Sequence, residues 1–179
     1  MRRLTAAAFV AAAAATIVGL ALASLPGPDY LEVASWTATA KNGQTATLSA
    51  VTRAAVPRRP DTFIGSNPVV GFAWADLQTS TAFVLTIHPV IGRDSHQNPS
   101  GWHAHTVTLA GGATAPNDFC LAGINSSPTA GIAIQGATIK ANVRLSVLPV
   151  APSAFDTAVG FTVQTDNACA SKLGVRVST

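Results

Sequence analysis

Three features of the sequence predict an all-β protein, namely an antiparallel β-sandwich or Greek-key barrel of about eight to ten strands. Beyond residue 30, apolar and small polar residues alternate with a period of two. The alternating runs are rich in threonine and valine, and Gly, Pro and Asn separate them at short intervals. A helical period of 3.6 residues does not recur outside the N-terminal segment, so we expect strands throughout the folded part.

The N-terminal segment, residues 1–23, has the pattern of a signal peptide. Two arginines precede an uncharged run over residues 4–23, and Ala21-Leu22-Ala23 has the small-x-small pattern that a signal peptidase accepts. We expect cleavage after Ala23. About 20 uncharged residues are also enough to span a bilayer, so an uncleaved membrane anchor stays open as the alternative. The sequence thus predicts a secreted or cell-surface protein, with any membrane contact confined to this segment.

Cleavage would leave a short linker over residues 24–30 and one domain over residues 31–179. Because both N-terminal arginines would be lost, nine of the eleven basic residues would remain against eight acidic ones. The net charge would then be only +1, and the sequence has no run of basic residues that could bind a phosphate backbone. Both observations argue against nucleic-acid binding. No other partner is predicted.

The first two strands are predicted over residues 31–41 and 45–56. Asn42-Gly43 lies between them, and this dipeptide is a strong hairpin signal because a type I′ turn needs positive φ at both central residues. The next two runs, residues 69–78 and 81–88, are joined by a turn at Thr79-Ser80. His88 falls at the end of the second of these runs.

A fifth strand is predicted over residues 102–109, after an irregular connection that contains His96. Alternation places His103, His105, Val107 and Leu109 on one face of this strand. The remaining strands are predicted over residues 119–124, 132–135, 139–147, 159–164 and 173–177.

All four histidines of the chain fall within eighteen residues, at His88, His96, His103 and His105. Side chains at i and i+2 leave the same face of a strand roughly 6.5 Å apart, so His103 and His105 would present two imidazoles side by side. With a third imidazole from His88 or His96, this arrangement suits copper or zinc. The alternative is that each histidine stays neutral and satisfies one backbone carbonyl within the fold.

Cys120 and Cys169 are the two cysteines of the chain. In an exported protein the simplest prediction is one disulfide between them. A cysteine ligand in a blue-copper site would call for a methionine as the usual axial ligand, and the single methionine is Met1.

The sequence gives little support for a catalytic site. A Gly-x-Ser-x-Gly nucleophile motif does not occur, and the adjacent Asp94-Ser95-His96 does not make a triad, because the triad roles require convergence in space. Past the signal segment the chain has one glutamate and seven scattered aspartates, which is poor material for a glycosidase pair. We therefore expect a protein without hydrolase activity.

Gly101-Trp102-His103-Ala104-His105, followed by Cys120 and Cys169, resembles the copper-binding strand and disulfide layout of Cu/Zn superoxide dismutases. The same residues are similar to the His-x-His strand of the chordin-type domain, an extracellular β-module. The first resemblance implies that His103 and His105 are copper ligands. Since no histidine follows His105, the resemblance extends to the architecture and this strand but not to the dismutases' downstream ligands or their activity.

Two hypotheses of different class follow from the sequence. The first is a non-catalytic structural or binding module of the cell exterior. The second is a copper- or zinc-binding extracellular protein that could be redox-active, with His103 and His105 as its central ligands and His88 and His96 as further candidates.

Overall fold

The computed structural model describes residues 28–59, 69–88 and 101–178. These residues form ten strands, and their helical structure takes the form of three-residue 3-10 turns. The strands are β1 (Val33–Lys41), β2 (Thr45–Thr52), β3 (Val69–Asp76), β4 (Thr81–Ile87), β5 (His103–Ala110), β6 (Phe119–Ser126), β7 (Gly131–Gln135), β8 (Thr138–Arg144), β9 (Thr157–Thr165) and β10 (Leu173–Ser178). The predicted all-β class is confirmed, whereas the targeting segment and His96 lie outside the described residues.

The strands form a four-stranded sheet in the order β1-β2-β8-β7 and a closed six-stranded barrel in the order β10-β6-β5-β4-β3-β9. In the barrel, β3 to β6 follow one another as an antiparallel meander. The hairpin of β9 and β10 closes the barrel by pairing with β3 on one side and β6 on the other. The sequence was compatible with either a sandwich or a barrel. The structure combines the two, because a four-stranded sheet packs on the wall of a closed barrel. No helix of the described segments is long and apolar enough to cross a membrane.

A large apolar core lies between the sheet and the outer wall of the barrel. Phe72, Trp74 and Leu85 project from the barrel strands, and Leu48 and Ile139 project from the sheet; all five are fully buried. Because successive side chains of a strand point to opposite faces, the same barrel strands also send residues inward. The inner cluster includes the small alanines and valines of β3 and β4 together with Phe161 of β9.

Asn42 and Gly43 have φ values of 51° and 64°, as a type I′ hairpin turn requires. This confirms the predicted first hairpin. The strand predicted over residues 139–147 is shorter than expected, because β8 ends at Arg144 and Leu145–Val147 forms a 3-10 turn. Arg144 pairs with Thr45, the first residue of β2, so the regular ladder between β2 and β8 ends there.

Cys120 and Cys169 form the predicted disulfide. The bond joins β6 to the turn between β9 and β10. Only two residue pairs connect β6 to β10 in the described sheet, at Gly174 with Cys120 and Val175 with Phe119. The disulfide therefore reinforces the shortest seam of the barrel.

Asp166 organises the turn that carries Cys169. Its carboxylate accepts hydrogen bonds from the side-chain amide of Asn117 (2.9 Å) and from the backbone N–H groups of Thr114 (2.7 Å) and Ala168 (3.0 Å). These bonds, that of Asn117 first, hold the pKa of Asp166 below its usual value. The charged carboxylate is therefore favoured by folding.

We expect Asp166→Asn to lower stability at neutral pH and to flatten its loss in acid. A depressed pKa in the folded state contributes stability above the unfolded value of about 3.9, which is lost as pH falls through the folded pKa. Denaturant unfolding from pH 7 down to about pH 2 measures the difference. A matched control is Asp29→Asn. Equal acid profiles for wild type and Asp166→Asn would contradict this role.

Candidate metal centre

Three histidines converge at one end of the barrel. His103 and His105 lie on β5 two residues apart, so both side chains point to the barrel interior with Val107. The third, His88, follows β4 directly. Since Thr86 pairs with His103, His88 lies diagonally across the ladder from it on the same face, within reach of an aromatic side chain.

The imidazoles are close together and buried. Their ring centroids are separated by 4.6 Å for His88 and His103, by 4.9 Å for His103 and His105, and by 6.2 Å for His88 and His105. One nitrogen from each ring lies within 4.8 Å of the other two. The three residues are 7%, 7% and 3% exposed, in chain order. A cluster of this kind is removed from bulk water but open to the barrel interior.

The hydrogen bonds of His103 define its tautomer. Its Nδ1 lies 2.9 Å from the carbonyl oxygen of Gly101, and because a carbonyl can only accept, Nδ1 carries the proton. In the neutral ring Nε2 then has a lone pair, which is directed at Nε2 of His88 across 2.9 Å. The Nε2–H of His88 is therefore the donor between the two rings, and a metal bound there would take the place of this proton.

His105 is held by a different partner. Its Nδ1 lies 2.8 Å from the hydroxyl oxygen of Ser127, just after β6. A hydroxyl can donate or accept, so this bond is compatible with either tautomer. It fixes the plane of the ring, as hydrogen bonds to the second nitrogen do for metal-bound histidines.

The arrangement is close to that of a three-histidine metal centre. In a tetrahedral zinc site with bonds of about 2.0 Å, ligand nitrogens lie about 3.3 Å apart. The separations of up to 4.8 Å require side-chain shifts on the order of 1 Å to reach that value. No carboxylate belongs to the ligand group that the described residues form, so a bound divalent ion would keep its full charge.

Two of the three histidines also border an apolar cavity inside the barrel. The cavity has a volume of about 360 Å³, and His88 and His105 form part of its wall. Most of the other lining residues are alanine, valine, leucine and phenylalanine. The cavity gives the buried cluster an approach through the barrel interior.

The structure brings together His88, His103 and His105, three of the four histidines that the sequence singled out. The position of His96 falls in the part of the chain that is not described. Sequence reasoning missed Ser127 and the carbonyl of Gly101, because neither a lone turn serine nor a backbone oxygen signals a contact with a distant side chain. The one relevant signal in the sequence was that Gly101 lies two residues before His103.

The chain has no match among protein-family models, curated proteins or solved structures. The resemblance to Cu/Zn superoxide dismutases and chordin-type domains therefore stays a prediction from the motif.

Proposed function

We propose that this chain is an exported β-protein that binds copper or zinc through His88, His103 and His105. The observation that carries the proposal is the convergence of three buried imidazoles whose nitrogens lie within 4.8 Å of one another. Two of them come from β5 and the third from the residue directly after β4, so the pairing of these two strands sets their spacing. Preorganisation of this kind reduces the cost of assembling a metal site.

The surroundings of His103 support the proposal. Its Nδ1–H donates to a backbone carbonyl, which is a common way for a protein to orient a metal-ligating histidine and to keep the other nitrogen basic. Neutral imidazoles suit zinc and copper better than the harder calcium or magnesium ions, which prefer oxygen ligands. Three histidines also leave a coordination position for water or another ligand.

A second candidate function is that of a non-catalytic structural or binding module. The observation in its favour is the hydrogen bond between Nε2 of His88 and Nε2 of His103, which satisfies both buried atoms without an ion. In this alternative the cluster stabilises one end of the barrel. Metal titration separates the two candidates.

Export is part of the proposal. A disulfide between Cys120 and Cys169 is consistent with an oxidising compartment outside the cytosol. The signal-like residues 1–23 support the same conclusion from the sequence. Intact-mass measurement of the secreted protein tests it, since cleavage after Ala23 gives a chain that begins at Ser24.

Titration of the chelator-treated protein with Cu²⁺ or Zn²⁺ should give one bound ion per chain. We expect His88→Ala, His103→Ala and His105→Ala each to weaken binding at least a hundredfold, because each removes a direct ligand. Ser127→Ala should weaken it about tenfold by releasing the ring of His105. Isothermal titration calorimetry on a protein without a histidine tag measures all four.

The matched control is Thr108→Ala, on the same strand as His103 and His105 but bonded to Asn125. It should bind metal as the wild type does. His96→Ala tests whether the fourth histidine of the sequence contributes. If the wild-type protein binds neither ion at micromolar concentrations, the metal-binding proposal is wrong and the structural or binding role is the function that stands.

A further inference from the structure

We propose that the barrel interior is a binding site for a small apolar molecule with a single polar head group, such as a medium-chain alcohol or fatty acid. The site is the cavity of about 360 Å³ enclosed by the barrel strands. This inference does not depend on a bound metal, because it rests on the apolar wall of the cavity.

The inward-facing side chains of β3 and β4 are small, which leaves space inside the barrel. Ala73, Ala75, Ala82 and Val84 project inward from β3 and β4, where the outward positions carry large aromatic and aliphatic residues. Protein interiors are normally packed with few voids larger than a water molecule. A void of about 360 Å³ is therefore unusual and indicates a binding site for a small molecule.

The residues that line the cavity indicate which class of small molecule it binds. Polar side chains in the lining are few, namely Thr86, His88, His105 and Thr157. Apolar cavities stay dry and take up apolar molecules, and one of about 150 Å³ accommodates benzene. A cavity more than twice that size accommodates a chain of about ten carbon atoms. His88 and His105 make one end of the wall polar, and the hydroxyl or carboxylate head would lie at that end.

The barrel also provides an entrance. Since Gly174 pairs with Cys120, the part of β6 beyond Leu121 has no residue of β10 opposite it. Two large apolar side chains lie at this gap, Ile124 with 55% of its surface exposed and Leu173 with 38%. Both line the cavity. Such exposed apolar residues are typical of the rim of a binding site.

Primary alcohols of increasing chain length test the proposal, with displacement of the fluorescent probe N-phenyl-1-naphthylamine as the readout and a chelator present throughout. Affinity should rise about fourfold per methylene group and level off near ten carbons. Failure of every alcohol and of the probe to bind the folded wild type would overturn the proposal. Since metal is absent, this result is separate from the test of the metal centre.

Two variants locate the site. Ala73→Leu fills the cavity and should weaken decanol binding tenfold or more, whereas Ala40→Leu, on the exposed surface of β1, should leave it unchanged. If Ala73→Leu does not fold, Val84→Ala serves instead, because it enlarges the cavity and should move the preferred alcohol to a longer chain. Equal chain-length profiles for folded Val84→Ala and the wild type would show that alcohols bind elsewhere and would also overturn the proposal.

Discussion

Replacing both cysteines, Cys120→Ala with Cys169→Ala, should lower the free energy of unfolding by about 4 kcal/mol. The bond closes a loop with a sequence separation of 49 residues. Its removal restores that loop's conformational freedom to the unfolded chain, which in the chain-entropy model accounts for this magnitude. Equilibrium unfolding in urea with and without the bond measures the effect.

Removing the disulfide should destabilise one part of the barrel more than the rest. Because the bond lies where β6 and β10 share two residue pairs, we expect faster amide hydrogen exchange along this seam than in the β3–β4 hairpin, which pairs along its full length. A control is the reduced wild type, which should behave as the double variant does. A uniform rise in exchange over the whole barrel would contradict a local role for the bond.

A hundredfold excess of Cu²⁺ or Zn²⁺ over its dissociation constant should raise the free energy of unfolding by about 2.7 kcal/mol at about pH 7.5. For a chain of this size the corresponding rise in melting temperature is about 8 °C. At about pH 5 the rise should be largely lost. Only a neutral imidazole offers a lone pair to the metal, and histidine in model peptides protonates near pH 6.5.

The double variant His103→Ala with His105→Ala should remove this dependence on metal and pH while leaving a folded protein. Its two substitutions take away both proposed ligands of β5 and keep His88 and the barrel strands. The control is Thr108→Ala, whose melting temperature should respond to metal as the wild type does. If the double variant responded to metal as the wild type does, the cluster would not be the site.

The sequence predicts much of the local structure because the signals are local. Asn42-Gly43 specifies its hairpin through the positive φ values that both residues adopt. Alternation along residues 102–109 places His103 and His105 on one face, since the period of a strand does not depend on its partners. The same alternation could not show that this face lines the inside of a barrel.

The length of β8 shows the limit of such signals. Alternation continued to Val147 in the sequence, but pairing stops at Arg144, where β2 begins. Residues 145–147 form a 3-10 turn instead. Strand ends depend on the partner strand, and the partner's end is not encoded in the strand's own pattern.

The sequence by itself determined the β-class, the pairing of two cysteines in one bond and the two neighbouring imidazoles of β5. These follow from side-chain period, turn chemistry and the small number of possible partners. Tertiary structure alone decided that the meander closes into a barrel, that the small inward residues of β3 and β4 leave a cavity, and that His88 and Ser127 reach the histidines of β5. Each of these depends on which strands meet and in what register, and that is set by the burial of the whole chain's apolar faces rather than by any one segment.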